Sequence, residues 1–189
     1  RGLGDVYKRQ AYAAIINRLD RPVSGLVLIA KNKSAAAKYS TLMQKEGGFN
    51  KQYEALICGK LSELKGTFVD YLKKDGRTNT SAIVPADAAA NDKEAKLSKL
   101  EYEVISYDEV KDITHVRIHL ITGRHHQIRV QFASRRHPLV GDYKYATAYC
   151  GMDNAVKAVA LKRNQIALCA VSLTIDNKTF SVTPDFVIN

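Results

Sequence analysis

Two stretches alternate apolar and polar side chains with period two, Leu100–Tyr107 (LEYEVISY) and Thr114–Ile121 (THVRIHLI), with six residues between them. A strand of that period buries one face and wets the other. Strands that follow one another in this way suit a largely antiparallel or mixed sheet. Other short runs extend the pattern. Gln52–Cys58 (QYEALIC) and Gly66–Leu72 (GTFVDYL) predict strands, and Gly25–Ala30 (GLVLIA) predicts a short buried one. Ala167–Ile175 and Thr179–Thr183 predict a hairpin turning at Asp176–Asn177–Lys178.

Helical spacing occurs twice. In Ser34–Glu46, Ala35, Tyr39, Leu42 and Met43 share one side, with Asn32 or Ser34 as the cap and Gly47–Gly48 as the stop. Gly123 opens a second helical segment through Ser134, striped by Ile128, Val130 and Phe132. Asp75–Glu94 is polar and rich in alanine, and predicts a long loop or a short hairpin. Strands outnumber helices and follow one another. The fold class expected is α+β, with a mixed, mostly antiparallel sheet and flanking helices. No repeat or linker divides the 189 residues, which suit a single domain. Arg1–Gln10 (RGLGDVYKRQ) carries neither period and is set aside as a non-native or disordered leader, leaving 11–189 as the domain.

Charge narrows the partner. The chain carries a formal net charge of +10. Residues 1–60 hold eleven basic and four acidic side chains, 61–114 eight and eleven, and 115–189 ten and four. Two basic blocks around an acidic middle predict one positive face, with the middle turned to solvent. A positive face on a folded protein points to a polyanion, nucleic acid before membrane. No apolar run approaches the ~18 residues of a membrane-spanning helix, and no secretory signal is visible. Cys58, Cys150 and Cys169 are odd in number and lack CxxC spacing. They suggest thiols of a reducing cytosol rather than a zinc site or a disulfide frame. A cytoplasmic monomer is the default expectation.

Three clusters could carry chemistry. The first is Asn17-Arg18-Leu19-Asp20-Arg21-Pro22-Val23-Ser24-Gly25, in which Asp20 lies between two arginines. A carboxylate in a cationic loop stays ionised, which suits a nucleophile or a general base, although such an acid is more often part of a surface ion pair. The second is Thr122-Gly123-Arg124-His125-His126-Gln127-Ile128-Arg129, where a strand hands over to a helix. Two arginines at a glycine turn can meet phosphates or a buried carboxylate. All five histidines, His115, His119, His125, His126 and His137, fall in this part of the chain, but no HExxH or similar carboxylate-bearing pattern accompanies them, so no metal site is expected. The third is Lys51-Gln52-Tyr53-Glu54-Ala55, where Tyr53, placed on a strand edge, is either packing or a platform for a base.

In order along the chain, NRLDRPVSGLVLIAKN, KQYEALICGKL and LITGRHHQIRVQFASRRHPLVGDYKY together resemble the RluA-like family of pseudouridine synthases, with the middle stretch DYLKKDGRTNTS in similar form in some members. The resemblance runs from about Ile16 to Phe186. It implies the pseudouridine synthase catalytic fold with an RNA-binding cleft. It also implies isomerisation of uridine in ribosomal or transfer RNA to pseudouridine, with no cofactor. Asp20 matches the catalytic aspartate, Tyr53 the tyrosine that stacks on the uracil, and Arg129 the arginine that pairs with the aspartate. Arg18 matches the arginine that fills the gap left by the flipped base. Arg21, Arg124, His126, Gln127, Arg135 and Arg136 are assigned to RNA contact or support of the loops.

The chain departs from the family at Asn17, where most members have His, and at Val23, where most have Thr. Cys169 stands where many have His, and Ala146 replaces a common Gly. Members usually carry a first strand pair with a Lys-Pro-x-Gly signature, and often an S4-type RNA-binding domain, ahead of the aspartate loop; the resemblance implies a longer natural protein, of which 11–189 is the catalytic domain lacking its first strands. Two other classes compete: a non-catalytic RNA-binding protein derived from this family, and a metal-dependent hydrolase built on the histidines.

Overall fold

A computed structural model describes residues 12–45, 48–150 and 165–186. Its elements in chain order are β1 (Ala14–Ile15), β2 (Ser24–Gly25), β3 (Ile29–Ala30), α1 (Lys33–Gln44), β4 (Asn50–Cys58), β5 (Lys65–Asp75), β6 (Thr80–Val84), α2 (Ala86–Ala89), β7 (Lys96–Asp108), β8 (Ile113–Leu120), α3 (Gln127–Ala133), α4 (Tyr143–Cys150), β9 (Leu168–Ile175) and β10 (Lys178–Ser181). The main sheet runs β10-β9-β4-β8-β7-β5-β6, with every neighbouring pair antiparallel. β2 joins β9 in parallel, which makes the sheet mixed. The α+β expectation holds.

Alternation sorts the side chains of the central strands. Tyr53, Ala55 and Ile57 of β4, Leu100 and Tyr102 of β7, and Val116, Ile118 and Leu120 of β8 face one way. They pack against Ile128 and Phe132 of α3 and against Leu168 and Ala170 of β9. Phe132 meets Phe68 and Tyr102 edge-on, at centroid distances of 5.0 and 5.9 Å. On the opposite face Leu56 and Cys58 join Ile113, Val140, Cys169, Val171 and Phe186. His115 and His119 of β8 take that same direction: His115 pairs with Glu54 at 3.1 Å, and His119 with Glu101 at 3.4 Å.

Several expectations are refined. The predicted buried strand at Gly25–Ala30 is two short bridges. Its chain leaves β9 after Gly25 and pairs with β1 only at Ile29, so Leu26 and Leu28 enter a small core with Phe49, Leu173 and Ile175 while Val27 and Ile29 face out. Asn32 does cap α1, accepting a 2.7 Å bond from the Ala35 amide, but the helix ends at Gln44 and Gly47 lies outside the described residues. Gly123 does not begin a helix. α3 starts four residues later, after a turn, and α4 was not foreseen. Asp75–Glu94 is a hairpin between β5 and β6 followed by the short α2. The last hairpin turns at Asp176 and Asn177, both at positive φ, as a two-residue loop of that twist demands. Arg1–Gln10 lies outside the described residues.

Candidate active site

The loop between β1 and β2 carries Asp20, and its shape is set by short-range bonds. The Asn17 amide donates to the Leu26 carbonyl at 3.1 Å and accepts from the Leu28 amide at 2.6 Å, tying the two arms of the loop together. The Val23 amide donates to the Asp20 carbonyl at 2.9 Å, closing a turn over Arg21 and Pro22. Gly25 then lies against β9 with φ +119°, and a Cβ there would fall 2.5 Å from the Ala170 amide nitrogen. Only glycine fits such an approach without displacement.

Across from this loop, the Gly123–Gln127 turn is pinned to β7. Gln127 accepts from the Thr122 hydroxyl at 2.8 Å and the Arg124 amide at 3.0 Å, and donates to the Lys99 carbonyl at 3.1 Å. His126 follows in the left-handed region, φ 54°, at the cap of α3. From there α3 projects Arg129 toward Asp20.

Arg129 Nη1 lies 3.3 Å from Asp20 Oδ2, and His126 Nε2 approaches the same oxygen at 3.6 Å. The expected pairing of Arg129 with Asp20 is present, 109 residues apart in sequence. The arginine's principal partner was not foreseen. Its Nε and Nη2 donate to both oxygens of Asp142 at 2.6 and 2.9 Å. The Asp142 side chain is 1% exposed and that of Arg129 6%, so this two-pronged pair is buried. Burial opposes the arginine's charge, but the bonds to Asp142 and Asp20 outweigh it and hold its pKa above the ordinary value. Asp20 thus receives one long contact from a cation already committed elsewhere. The acid is oriented without being fully neutralised, and its side chain is still 28% exposed. A sequence signal for Asp142 existed: it is the only acidic residue between Asp112 and Asp153.

Asp20, Tyr53 and Arg129 line one cleft of about 550 Å³, together with Arg18, Arg21, Lys51, Lys74, Arg124, His126 and Gln127. Tyr53 is not on a sheet edge as the sequence suggested. β4 is flanked by β8 and β9, and a bulge between Gln52 and Tyr53 breaks its register with β9 beside the cleft. Burial, then the Asp20 charge, push the Tyr53 phenol up to about 12, so its hydroxyl stays protonated. Burial also lowers the pKa of Lys51, which has no carboxylate ion pair among the described residues. Lys74 and Asn79 of the β5–β6 hairpin reach the cleft too, so the acidic middle third is not simply turned to solvent.

The remaining basic candidates divide. Arg18 and Arg21 are exposed on the cleft rim, and Arg124 beside them donates to the Leu97 carbonyl at 2.9 Å. Arg135 and Arg136 do not line the cleft. Arg135 forks onto both oxygens of Asp70 at 3.0 and 3.1 Å, with its guanidinium 4.0 Å from the Phe68 ring centroid. Arg136 donates to the Tyr149 carbonyl at 3.0 Å. Among the described residues no group of three His, Cys, Asp or Glu is placed to hold a metal ion. No helix there is long and apolar enough to cross a membrane.

The aspartate loop, the strand tyrosine and the arginine helix meet in one cleft. The family model for RNA pseudouridylate synthases matches residues 5–134. The chain belongs to the RNA pseudouridylate synthase family. It is 35% identical over 142 residues to ribosomal large subunit pseudouridine synthase D of Blochmanniella floridana, covering 74% of this chain and 40% of that one. It is 32% identical over 147 residues to an uncharacterized RNA pseudouridine synthase of Bacillus subtilis, YjbO, covering 76% and 48%. The chain therefore spans less than half the length of these relatives. Among solved structures, human RNA pseudouridylate synthase domain containing 1 superposes with a TM-score of 0.70 at 26% identity, covering 92% of this chain and 69% of that one. Human RNA pseudouridylate synthase domain containing 4 gives the same score at 18% identity, a likeness of fold.

Proposed function

We propose that this synthase-family chain isomerises uridine to pseudouridine within ribosomal or transfer RNA in the cytoplasm, with Asp20 as the catalytic residue. The observation that carries the reading is the Asp20 carboxylate, 3.3 Å from Arg129 and open to a cleft that also holds Tyr53. The reaction breaks the bond from uracil N1 to ribose C1′ and makes one from C5 to C1′, then moves the C5 proton. It is redox-neutral, so the proposed route calls on no electron carrier. An anion beside the sugar serves either accepted course, attack on C1′ or proton removal leading to a glycal.

The other side chains have matching parts. The uridine must leave its stack, at a cost of a few kcal/mol. The Tyr53 ring offers a face to the extruded base, worth about 1–3 kcal/mol. Arg18, Arg21 and Arg124 on the rim supply cations for the backbone, which position the RNA without reading its bases.

Replacing Asp20 by Asn tests the proposal. The variant should bind RNA as the parent does and form no pseudouridine, read by carbodiimide mapping of ribosomal and transfer RNA. Turnover retained by Asp20→Asn would refute the assignment. A parent chain that binds RNA and converts no uridine would favour a binding protein instead. Tyr53→Phe should preserve binding, whereas Tyr53→Ala should weaken base capture by about 1–3 kcal/mol.

A further inference from the structure

Asp20 has two oxygens, and the structure treats them differently. Arg129 Nη1 and His126 Nε2 both approach Oδ2, at 3.3 and 3.6 Å. No hydrogen bond reaches Oδ1 from the described residues. What His126 offers to Oδ2 depends on where its ring proton sits. Its Nδ1 is 2.7 Å from the Tyr145 hydroxyl, and the Ser81 amide donates to that same hydroxyl oxygen at 2.9 Å. The Tyr145 oxygen already accepts, and among the described residues its own proton has one acceptor in reach, His126 Nδ1. A neutral imidazole that accepts at Nδ1 carries its hydrogen on Nε2. The opposite tautomer would set a lone pair against the carboxylate.

We propose that Tyr145 fixes His126 as the Nε2–H tautomer, so that the ring turns a polar hydrogen rather than a lone pair toward Asp20 Oδ2 at 3.6 Å, an electrostatic contact that helps Arg129 orient the carboxylate and leaves Oδ1 as the oxygen that acts on the ribose. His126 is thus a positioning residue, and Tyr145 sets its state. The proposal rests on the synthase reading for its consequence, but the proton arrangement exists whether or not the chain turns over.

Independent features support it. Burial, then the nearby Arg129 charge, push His126 down to about 3, so the ring is neutral at ordinary pH. His125 stacks on it at 3.7 Å and is itself held by the Ser81 hydroxyl at 2.8 Å, which restricts rotation of the pair. Tyr145 meets the His126 ring edge-on at 5.6 Å. The backbone of His126 sits in the left-handed region, a conformation that a non-glycine residue adopts at some cost and that aims this ring into the cleft.

Two measurements test this on the full chain. Long-range nitrogen-15 spectra of the histidine rings at pH 7 should show His126 protonated on Nε2 and bare on Nδ1. Tyr145→Phe should convert it to a tautomer mixture. An Nδ1–H form or an imidazolium in the parent would overturn the proposal, even if the enzyme is active. In single-turnover assays His126→Leu should lower the rate severalfold, the loss of an electrostatic contact longer than a hydrogen bond. RNA affinity should fall less than the rate. His126→Gln, which restores an N–H donor, should recover much of the loss. Equal rates for Leu and Gln variants would reduce His126 to packing and refute its role. If the parent shows the tautomer but modifies no RNA, the functional reading fails and the proton arrangement stands.

Discussion

Arg129 lies between two carboxylates that ask different things of it. Asp142 takes the short two-pronged bonds and Asp20 the single long one. Removing Asp142 leaves a buried guanidinium with a partner that solvent also reaches. Asp142→Ala should therefore cost about 3 kcal/mol in urea unfolding, the usual penalty for stripping one member of a buried pair. It should also lower turnover, because Arg129 is then free to neutralise Asp20. Near it, His126 makes a pH prediction. Its folded pKa, about 3, lies below the unfolded value near 6.5. Between those values the unfolded chain binds the extra proton, so stability falls as pH is lowered through that window, by at most about 1.4 kcal/mol per unit. Burial, then the charges of Arg129, His125, Lys144 and Lys74, oppose protonation of the ring, while the Asp20 carboxylate 3.6 Å away favours it and is outweighed. Comparing parent and His126→Gln from pH 7 to 4 by thermal melting isolates this contribution; parallel curves would contradict it.

The aspartate loop depends on how β2 meets β9. A two-residue parallel bridge, Ser24 to Cys169 and Gly25 to Ala170, anchors the arm that carries Asp20. Gly25→Ala adds a methyl group 2.5 Å from backbone at a φ that side chains rarely adopt. The bridge should open, with about 2 kcal/mol or more lost in denaturant unfolding and turnover falling further than RNA binding. The β5–β6 hairpin has a comparable anchor. Lys144 of α4 donates to the carbonyls of Thr78 and Asn79 at 3.1 and 3.0 Å, and Tyr145 receives the Ser81 amide. These bonds bring Lys74 and Asn79 to the cleft. Sequence pattern marked β5 and β9 and allowed a hairpin within Asp75–Glu94, since such runs are local, but β6 was not marked as a strand. The pattern did not reveal that α4 exists, because Tyr143–Cys150 has just two fully buried positions, Tyr145 and Ala146, and so no apolar stripe.

The net charge of +10 becomes useful only once the rim arginines and Lys51 share one opening. Binding to RNA should then weaken steeply with salt, the slope of log K against log salt approaching −0.7 per phosphate contacted on a single strand. Arg18→Ala and Arg124→Ala should each reduce that slope by roughly one contact; a slope that does not respond would place the RNA elsewhere. Strand periods, the Asn32 cap, the Asp176–Asn177 turn and the candidacy of Asp20, Tyr53 and Arg129 were legible along the chain, because each depends on neighbours or on a contiguous signature. The bond from Arg129 to Asp142, the path from Tyr145 through His126 to Asp20, and the location of Tyr53 inside the sheet were not. Those depend on distances between segments up to 109 residues apart, which no local pattern encodes. Packing of α3 against the sheet brings them together, and the burial that follows determines which side chain holds a charge and which a proton.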